Sequence, residues 1–383
     1  MNKFDELIAE FCPNGVEYRE LKDILTIKNG KDYKSLTEGR YPVYGSGGIM
    51  TYVSDYVYNK PSVLIPRKGS IDKLYYVEEP FWNVDTIFYT EIDIKQVIPR
   101  YVYFCLQKEH LEQYNTAGGV PSLTQKVLNK IKLPVPPLEV QREIVRVLDS
   151  FTLLTAELTA ELTARKEQYK FYCNKLLTFG NSVKIVPLAD IADIGTGSSN
   201  TNEGLKDGKY PFYVRSQEPL RKNEYEYDET AIITAGDGVG VGKVYHYVEG
   251  KYALHQRAYR IHINTPDVLP RYYFHYMRTA FLPYIQKTMF QGSVASIRRP
   301  MLNQFPVPVP ALDVQKRLIN VLDNFEAICT DLNIGLPAEI EARQKQYEYY
   351  RDLLLTFVET GNTILTDRQT DRQTDRQTDR QTE

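Results

Sequence analysis

The stretch LPVPPLEVQREIVRVLDSF at residues 133–151 returns as VPVPALDVQKRLINVLDNF at residues 307–325, with 10 of the 19 aligned positions identical. A second block follows each copy: ARKEQYKFYCNKLLTF at residues 164–179 returns as ARQKQYEYYRDLLLTF at residues 342–357, identical at 9 of 16 positions. A repeat of this size predicts that one structural unit is built twice, so it constrains every later assignment.

Apolar residues in each repeated stretch are spaced alternately by three and four residues for about five heptads, which is typical of a helix that buries one seam against another helix. The simplest partner is the other copy, so we expect two long antiparallel helices. The second copy has four extra residues between its blocks. We expect a stutter there that loosens the coil without ending it, and Pro337 favours a kink or a fresh helix start. The predicted helix-pair interface contains Ile144, Leu148, Phe151, Leu158, Leu162, Tyr169, Leu176, Leu318, Leu322, Phe325, Leu332, Tyr347 and Leu354.

The segments before the two helices are rich in short Tyr, Val and Ile runs that alternate with glycine-containing turns, a pattern that predicts strands. They are diverged repeats as well, since YPVY at 41–44 matches YPFY at 210–213. The predicted fold is therefore α+β: two mixed, strand-rich domains separated by two long antiparallel helices, with a pseudo-twofold internal repeat. The predicted boundaries are 1–136 for the first domain with a short N-terminal helix, 137–182 for the first helix, 183–310 for the second domain and 311–358 for the second helix.

Residues 359–383 contain four TDRQ repeats and, from Thr366 on, no apolar residue, so they are predicted to be a disordered tail. A four-base unit ACAG read in triplets encodes Thr-Asp-Arg-Gln. This coincidence indicates a tract that can slip and shift the reading frame, which suggests phase variation and a second, frameshifted product. An ordinary polar tail is the alternative.

Composition places the chain among ordinary globular proteins, with 42% hydrophobic and 25% charged residues. No apolar run approaches a membrane span, no signal peptide is evident, and the four cysteines are far apart, so a cytoplasmic location without membrane contact is expected. The net charge of −2 excludes a simple polycationic nucleic-acid binder. Residues 183–310 nevertheless hold 15 basic and 12 acidic side chains, so any nucleic-acid contact must be a local patch.

Catalytic and metal-binding patterns are weak throughout the sequence. The five histidines form no metal-ligand pair with a carboxylate at useful spacing, and GDGVGVGK at 236–243 lacks the glycine and hydroxyl residue of a phosphate loop. Asp85, Asp93 and Lys95 loosely resemble the acidic pair and lysine of metal-dependent nucleases, but the second domain has no equivalent. We therefore expect no catalytic residue, no metal site and no cofactor in this chain.

Recognition of DNA remains the best use of these side chains, because Arg pairs with guanine, Gln pairs with adenine, and Ser and Lys bind phosphates. Basic, amide and hydroxyl side chains cluster beside glycines and aromatics in predicted loops. The candidate DNA-binding residues are Arg67, Lys68, Ser70, Arg215, Ser216, Gln217, Arg221, Lys222, Gln256, Arg257, Arg298 and Arg299.

Several motifs together resemble the specificity (S) subunit of type I restriction–modification systems over nearly the whole chain. They are CPNGVEYRELKDI at 12–24, the two Pro-rich helix starts, the two blocks that end in LLTF, VPLADIADIGTG at 186–197 and the tandem TAELTAELTA at 155–164.

The resemblance implies two target-recognition domains, each reading half of a split double-stranded DNA site. It implies helices that bind two methyltransferase (M) subunits, and a complex that restriction/translocase (R) subunits can join. S-adenosylmethionine, ATP and Mg²⁺ would then belong to those partners, which methylate adenine. An added TAEL copy is expected to lengthen the unread spacer between the half-sites. The alternatives are a DNA-reading nuclease or methyltransferase that acts alone, and a protein scaffold that does not touch DNA.

Overall fold

The computed structural model describes residues 3–115, 118–288 and 296–357. The chain divides into two compact units, Met1–Glu157 with Glu341–Glu383, and Leu158–Ile340. Each unit thus joins one strand-rich head to parts of both repeated helical stretches, so the sequence boundaries at 136 and 310 do not coincide with the units. The predicted disordered tail at 359–383 lies outside the described residues.

In the first unit, short strands and four short helices form the head. The strands are β1 (Tyr18–Glu20), β2 (Leu25–Lys28), β3 (Glu38–Gly45), β4 (Gly48–Val53), β5 (Ser62–Pro66), β6 (Tyr75–Val77), β7 (Trp82–Asn83), β8 (Ile87–Ile92) and β9 (Lys132–Pro134). The helices are α1 (Lys3–Phe11), α2 (Leu21–Ile24), α3 (Pro99–Lys108) and α4 (Gln125–Leu128). The strand orders are β2-β8-β5-β6, β4-β3-β7 and β1-β9. Strand β5, SVLIP, is buried along its whole length, as its apolar run predicts.

The second unit has a larger continuous sheet. Its strands are β10 (Lys184–Pro187), β11 (Ala192–Thr196), β12 (Tyr210–Tyr213), β13 (Leu220–Lys222), β14 (Tyr227–Ala235), β15 (Tyr245–Leu254), β16 (Ala258–Ile263) and β17 (Pro306–Val309). Its helices include α6 (Pro270–Thr288), α7 (Arg299–Asn303) and α8 (Leu312–Thr330). The main sheet has the order β11-β16-β14-β15-β12-β13, and β10 pairs with β17.

The two heads share one strand plan. In the second unit, β15 runs unbroken and pairs with both β14 and β12; in the first unit, β6 and β7 make the equivalent pairings with β5 and β3 separately. The pairs β2–β8 and β11–β16 are both antiparallel and occupy the same place in the order. The heads are therefore repeats in structure although their sequences have diverged.

A buried glutamine in each repeated stretch joins a head to the helix that follows it. The side chain of Gln141 accepts a hydrogen bond from the Ile98 amide at 2.8 Å and donates one to the Pro136 carbonyl oxygen at 2.8 Å. Gln315 is bonded in the same way, from the Leu269 amide at 2.8 Å. Both glutamines are fully buried. Because a buried amide needs such partners, this joint gives a physical reason for the identity of the two Pro-rich stretches.

An arginine salt bridge reinforces the joint. Arg100 donates to Asp149 at 2.8 Å in the first unit, and Arg271 donates to Asp323 at 2.8 Å in the second. Each arginine also lies over aromatic rings of its own head. A Pro-Arg-Tyr motif occurs at residues 99–101 and again at 270–272. Its arginine thus anchors α3 and α6 against the helices that follow them.

The first repeated stretch is one helix, α5 (Leu138–Leu176), whereas the second is two helices, α8 and α9 (Leu336–Leu354). The expectation that the four extra residues loosen the coil without ending it is wrong, while the fresh start near Pro337 is confirmed. Asp331 accepts hydrogen bonds from the amides of Asn333 and Ile334, which makes a side-chain-stabilised turn. Helix α8 therefore ends at Thr330.

Parts of α5 pack on each later helix within the unit to which they belong. In the first unit, Phe151 of α5 stacks on Tyr350 of α9, with ring centroids 5.3 Å apart. In the second unit, Tyr172 of α5 contacts Phe325 of α8 at 5.4 Å. Among the described residues, none of the helices is long and apolar enough to cross a membrane.

Candidate nucleic-acid interface

Three loops meet at one end of the main sheet in the second unit. Ala235 at the end of β14 pairs with Ala258 at the start of β16, which brings the loop after β14 beside residues 255–257. The end of β12 runs parallel to the end of β15, so the loop after β12 leads to the same place. Strand register, not sequence proximity, assembles this edge.

A carboxylate at this edge bridges two of the predicted DNA-binding arginines. Asp237 Oδ1 accepts from Arg215 at 2.6 Å, and Asp237 Oδ2 accepts from Arg257 at 3.2 Å. Asp237 retains 22% of its side-chain exposure, whereas Arg215 retains 40% and Arg257 61%, so the arginines are the accessible members. Burial alone would raise the pKa of Asp237, but the hydrogen bond and charge of Arg215 and the charge of Arg257 outweigh it, and the net pKa is lowered.

Glycines allow the loop that carries Asp237 to lie on its neighbours. Gly238 has φ +82°, in the left-handed region that favours glycine. A Cβ on Gly240 would lie 2.4 Å from the Arg215 carbonyl oxygen, so a side chain there would separate the two loops. The GDGVGVGK stretch is therefore a close-packed turn. Sequence reasoning missed Asp237, although its position between two glycines of this loop was a usable signal.

Several other predicted residues hold the head together. Arg221 donates to the carbonyl oxygens of residues 208 and 209, and Arg299 donates to that of Ile194. Lys222 donates to Glu203 at 2.7 Å and is only 17% exposed. These three side chains are therefore engaged in contacts within the head.

The remaining predicted residues of the second head lie in exposed loops. Gln256 bonds to the neighbouring Asn200 side chain, and Ser216 donates to the Glu218 carbonyl oxygen. Gln217 and Arg298 are exposed. Arg298 follows Ile297, whose amide donates to Gly236 at 2.8 Å, so it adjoins the Asp237 loop.

In the first head, Arg67, Lys68 and Ser70 follow strand β5 directly. Arg67 lies over the Phe88 ring at 5.8 Å, while Lys68 is exposed. Gly69, between Lys68 and Ser70, has φ +83°. These three residues thus occupy the loop that corresponds to the Asp237 loop of the second head.

Burial along the helices varies among the predicted interface residues. Ile144, Leu148 and Leu322 are fully buried, and Leu318, Tyr347 and Leu354 are nearly so. The partly buried members are Phe151, Leu158, Leu162, Tyr169, Leu176 and Phe325. Leu332 is 72% exposed because it lies in the turn between α8 and α9, so it does not continue the seam.

One group of residues in the second unit has the composition of a metal site. The ligand atoms of His275, Asp323 and Glu326 lie within 4.8 Å of one another, although their spacing in the sequence did not suggest it. Arg271 donates to Asp323 and to Glu326 at 2.8 and 2.9 Å, so a cation would have to displace an existing positive charge. Burial lowers the pKa of His275, against the effect of its bond to Asp323. We interpret the group as an ion-pair network.

The nuclease-like residues do not form a cluster. Asp85 precedes strand β8 and Asp93 follows it, so the six-residue strand separates them by about 20 Å. The carboxylate of Asp93 accepts bonds from the Lys95 amide and from the Gln96 side chain. A shared metal ion at these two aspartates is therefore excluded by distance.

Known proteins share both the sequence pattern and the fold. A family model described as a type I restriction modification DNA specificity domain matches residues 13–167 and 181–342, one match for each repeat. A putative type I restriction enzyme specificity subunit of Haemophilus influenzae is 28% identical over 376 residues, which cover 89% of this chain and 96% of the relative. The specificity subunit of the Escherichia coli type I restriction enzyme EcoR124I/EcoR124II is 34% identical over 301 residues, covering 70% of this chain and 73% of the relative.

The fold is also that of a solved structure. The S subunit of a type I restriction–modification system from M. genitalium superposes with a TM-score of 0.57 at 15% identity, covering 89% of this chain and 95% of that one. At this identity the likeness establishes the fold alone.

Proposed function

Because the chain belongs to the family of type I restriction–modification DNA specificity proteins, we propose that it reads a bipartite, non-palindromic DNA site, with one head for each half-site. The chain itself carries out no chemistry. Its helices hold two methyltransferase subunits and, where present, restriction subunits, and those partners carry S-adenosylmethionine, ATP and Mg²⁺.

The observation that carries this proposal is the contrast between the joints and the loops of the two heads. The joints repeat the same contacts, as in the Gln141 and Gln315 side chains, so both heads are mounted in the same way. The loops differ, with Lys68 after β5 where Asp237 follows β14. Two heads that contact their helices in the same way but carry different loops suit a protein that recognises two different half-sites.

The length of α5 supports the spacing function. A helix of 39 residues is about 58 Å long, more than the ~34 Å between major-groove faces one turn apart on DNA. The TAEL repeats at 155–164 lie within this helix, so an added copy would lengthen the spacer that neither head reads.

Exposed apolar side chains on the helices support partner binding. Leu153 and Phe171 on α5 are 61% and 58% exposed, and Tyr349 on α9 is 64% exposed. We assign these exposed side chains to contacts with the methyltransferase subunits, because they lie on the helices and not in the loops of the heads.

The purified chain, alone and mixed with methyltransferase subunits, tests the proposal against an enzyme that acts alone. With DNA, Mg²⁺ and S-adenosylmethionine, the chain alone is expected to neither cleave nor methylate. The mixture is expected to methylate adenine at one bipartite motif. Methylation or cleavage by the isolated chain, or failure of the two subunits to form a complex, would overturn the proposal.

A further inference from the structure

Resting on the DNA-reading function above, we propose that Asp237 positions Arg215 and Arg257 as a paired guanine reader in the second half-site. The corresponding residues of the first head, Ser46 and Lys68 with Thr86, form the reader of the other half-site. Asp237 is a positioning residue, since it acts through the two arginines.

Backbone hydrogen bonds establish two of the three correspondences. The first residue after β5 donates its amide hydrogen to the Thr86 carbonyl oxygen at 2.8 Å, and the first residue after β14 donates to that of Arg257 at 2.8 Å. The next residues, Lys68 and Asp237, each form an isolated bridge to a serine, and each is followed by a glycine with positive φ. Lys68 therefore corresponds to Asp237, and Thr86 corresponds to Arg257.

The third correspondence follows from the parallel strand pairs. The Tyr44 carbonyl oxygen accepts from the residue after β7 at 3.0 Å, and the Tyr213 carbonyl oxygen accepts from the residue after β15 at 2.9 Å. Ser46 and Arg215 lie two residues beyond these tyrosines. The Ser46 amide contacts the Thr86 hydroxyl at 3.4 Å, just as Arg215 is joined to Arg257 through Asp237.

Because one carboxylate binds both guanidinium groups, it orders the two arginine side chains and helps them to select guanine. Each arginine donates one of its five side-chain N–H groups to Asp237, which restricts its rotamers before DNA binds. Within residues 3–115, 118–288 and 296–357, neither guanidinium group makes another hydrogen bond. Two guanidinium groups on the two oxygens of one carboxylate are close enough to reach base pairs about 3.4 Å apart. The donor fork of arginine matches the O6 and N7 acceptors of guanine. The net charge of the triad is only +1, so it does not act as a strong phosphate clamp.

At the three corresponding positions, the first head carries side chains of a different chemical type. Lys68 is a single flexible cation, and the Ser46 and Thr86 side chains are neutral. Without a fixed fork, this trio has less power to select guanine. The two half-sites are therefore expected to differ in sequence, with the demand for guanine stronger in the half read by the second head.

The substitution Asp237→Asn tests this role. Methylation by the full complex with methyltransferase subunits is measured on a DNA library in which both half-sites are randomised. The guanine preference at one or two positions of the second half-site is expected to fall about 5- to 100-fold, because one well-placed bidentate contact gives discrimination of that order. The first half-site preference should not change. Asp228→Asn is the matched control, since Asp228 is a carboxylate of β14 paired with Lys251 away from this edge.

Arg257→Lys is the second variant, and it tests the guanine-reading role if Asp237→Asn fails to fold. It keeps the positive charge but loses the planar fork, so guanine preference should fall while the salt dependence of binding stays the same. Unchanged preferences in both variants would overturn the inference, as would a uniform loss of methylation on all sequences by a folded Arg257→Lys complex. If the wild-type complex methylates no bipartite motif, the proposed function itself fails, and that result is distinct from both.

Discussion

Glu143 is a buried carboxylate whose charge depends on two cations of the first unit. Arg146 donates to both of its oxygens, at 2.9 and 2.7 Å, and Lys3 lies 3.2 Å away. The hydrogen bond from Arg146 is the largest influence and outweighs burial, so the pKa of Glu143 falls to about 2. The equivalent position of the second repeat is Arg317, so this contact distinguishes the two copies.

Glu143→Gln should make stability less dependent on pH. The folded-state pKa lies below the unfolded value, so the carboxylate stabilises the fold above about pH 4.5, and this stabilisation is lost as pH falls toward 2. The variant should be less stable than wild type by about 2 kcal/mol at pH 7, with a smaller difference at pH 3. Urea denaturation at both pH values measures this.

Glu139→Gln is the control for that measurement. Glu139 also pairs with an arginine three residues on, Arg142, at 3.2 Å, but it is 50% exposed. Exposed pairs contribute little, so its substitution should have a small effect at either pH. Equal pH dependence for the two variants would mean that burial of Glu143 has no role.

At the scale of elements, the important event is the break between α8 and α9. Leu322 is fully buried in the core of the second unit, whereas Leu332, ten residues on, is 72% exposed in the turn. The repeated spacing predicted that both belong to one continuous seam. The local bonds of Asp331, together with Pro337 at the start of α9, override that spacing.

Leu322→Ala and Leu332→Ala form a matched pair that tests this break. Loss of the buried side chain should cost about 2–5 kcal/mol, because a cavity remains in a packed core. Loss of the exposed one should change stability by less than about 0.5 kcal/mol. Thermal unfolding of the full chain gives both values. An equally large effect at Leu332 would indicate that the seam is continuous.

Sequence periodicity predicted the elements better than it predicted their chemistry. The stretch expected to be helical at 137–182 corresponds to α5 at Leu138–Leu176, because a sustained apolar seam has few other solutions. In the second copy, Pro337 indicated a kink or a fresh helix start, but the turn that Asp331 stabilises was not predicted. A local turn competes there with a long-range seam, and the sequence alone does not show which is more stable. Boundary residues depend on such competition.

The candidate reader was only partly predictable for a different reason. Arg215 and Arg257 were identified from side-chain chemistry, but their link through Asp237 depends on strand register. An acidic residue counts against DNA binding when it is considered alone. Conversely, Lys222 has suitable chemistry but is bound to Glu203 inside the head. Which donors remain free is a tertiary property.

At the scale of the whole molecule, one strand plan and one joint are used twice, and the loops diverge. The joint is maintained by buried, fully bonded glutamines, which tolerate little change. The loops carry exposed side chains, which can change without loss of the fold. If the proposed function holds, such a protein can acquire a new half-site while it retains its partners.

The most direct test is a map of methylated adenines in cells that carry the gene and in an otherwise identical strain from which it is deleted. One motif with two unlike halves and an unread spacer should be methylated in the first strain and absent from the second. An unchanged set of methylated motifs after deletion would contradict the reading of DNA by these two heads, as would the loss of a motif that is continuous or palindromic.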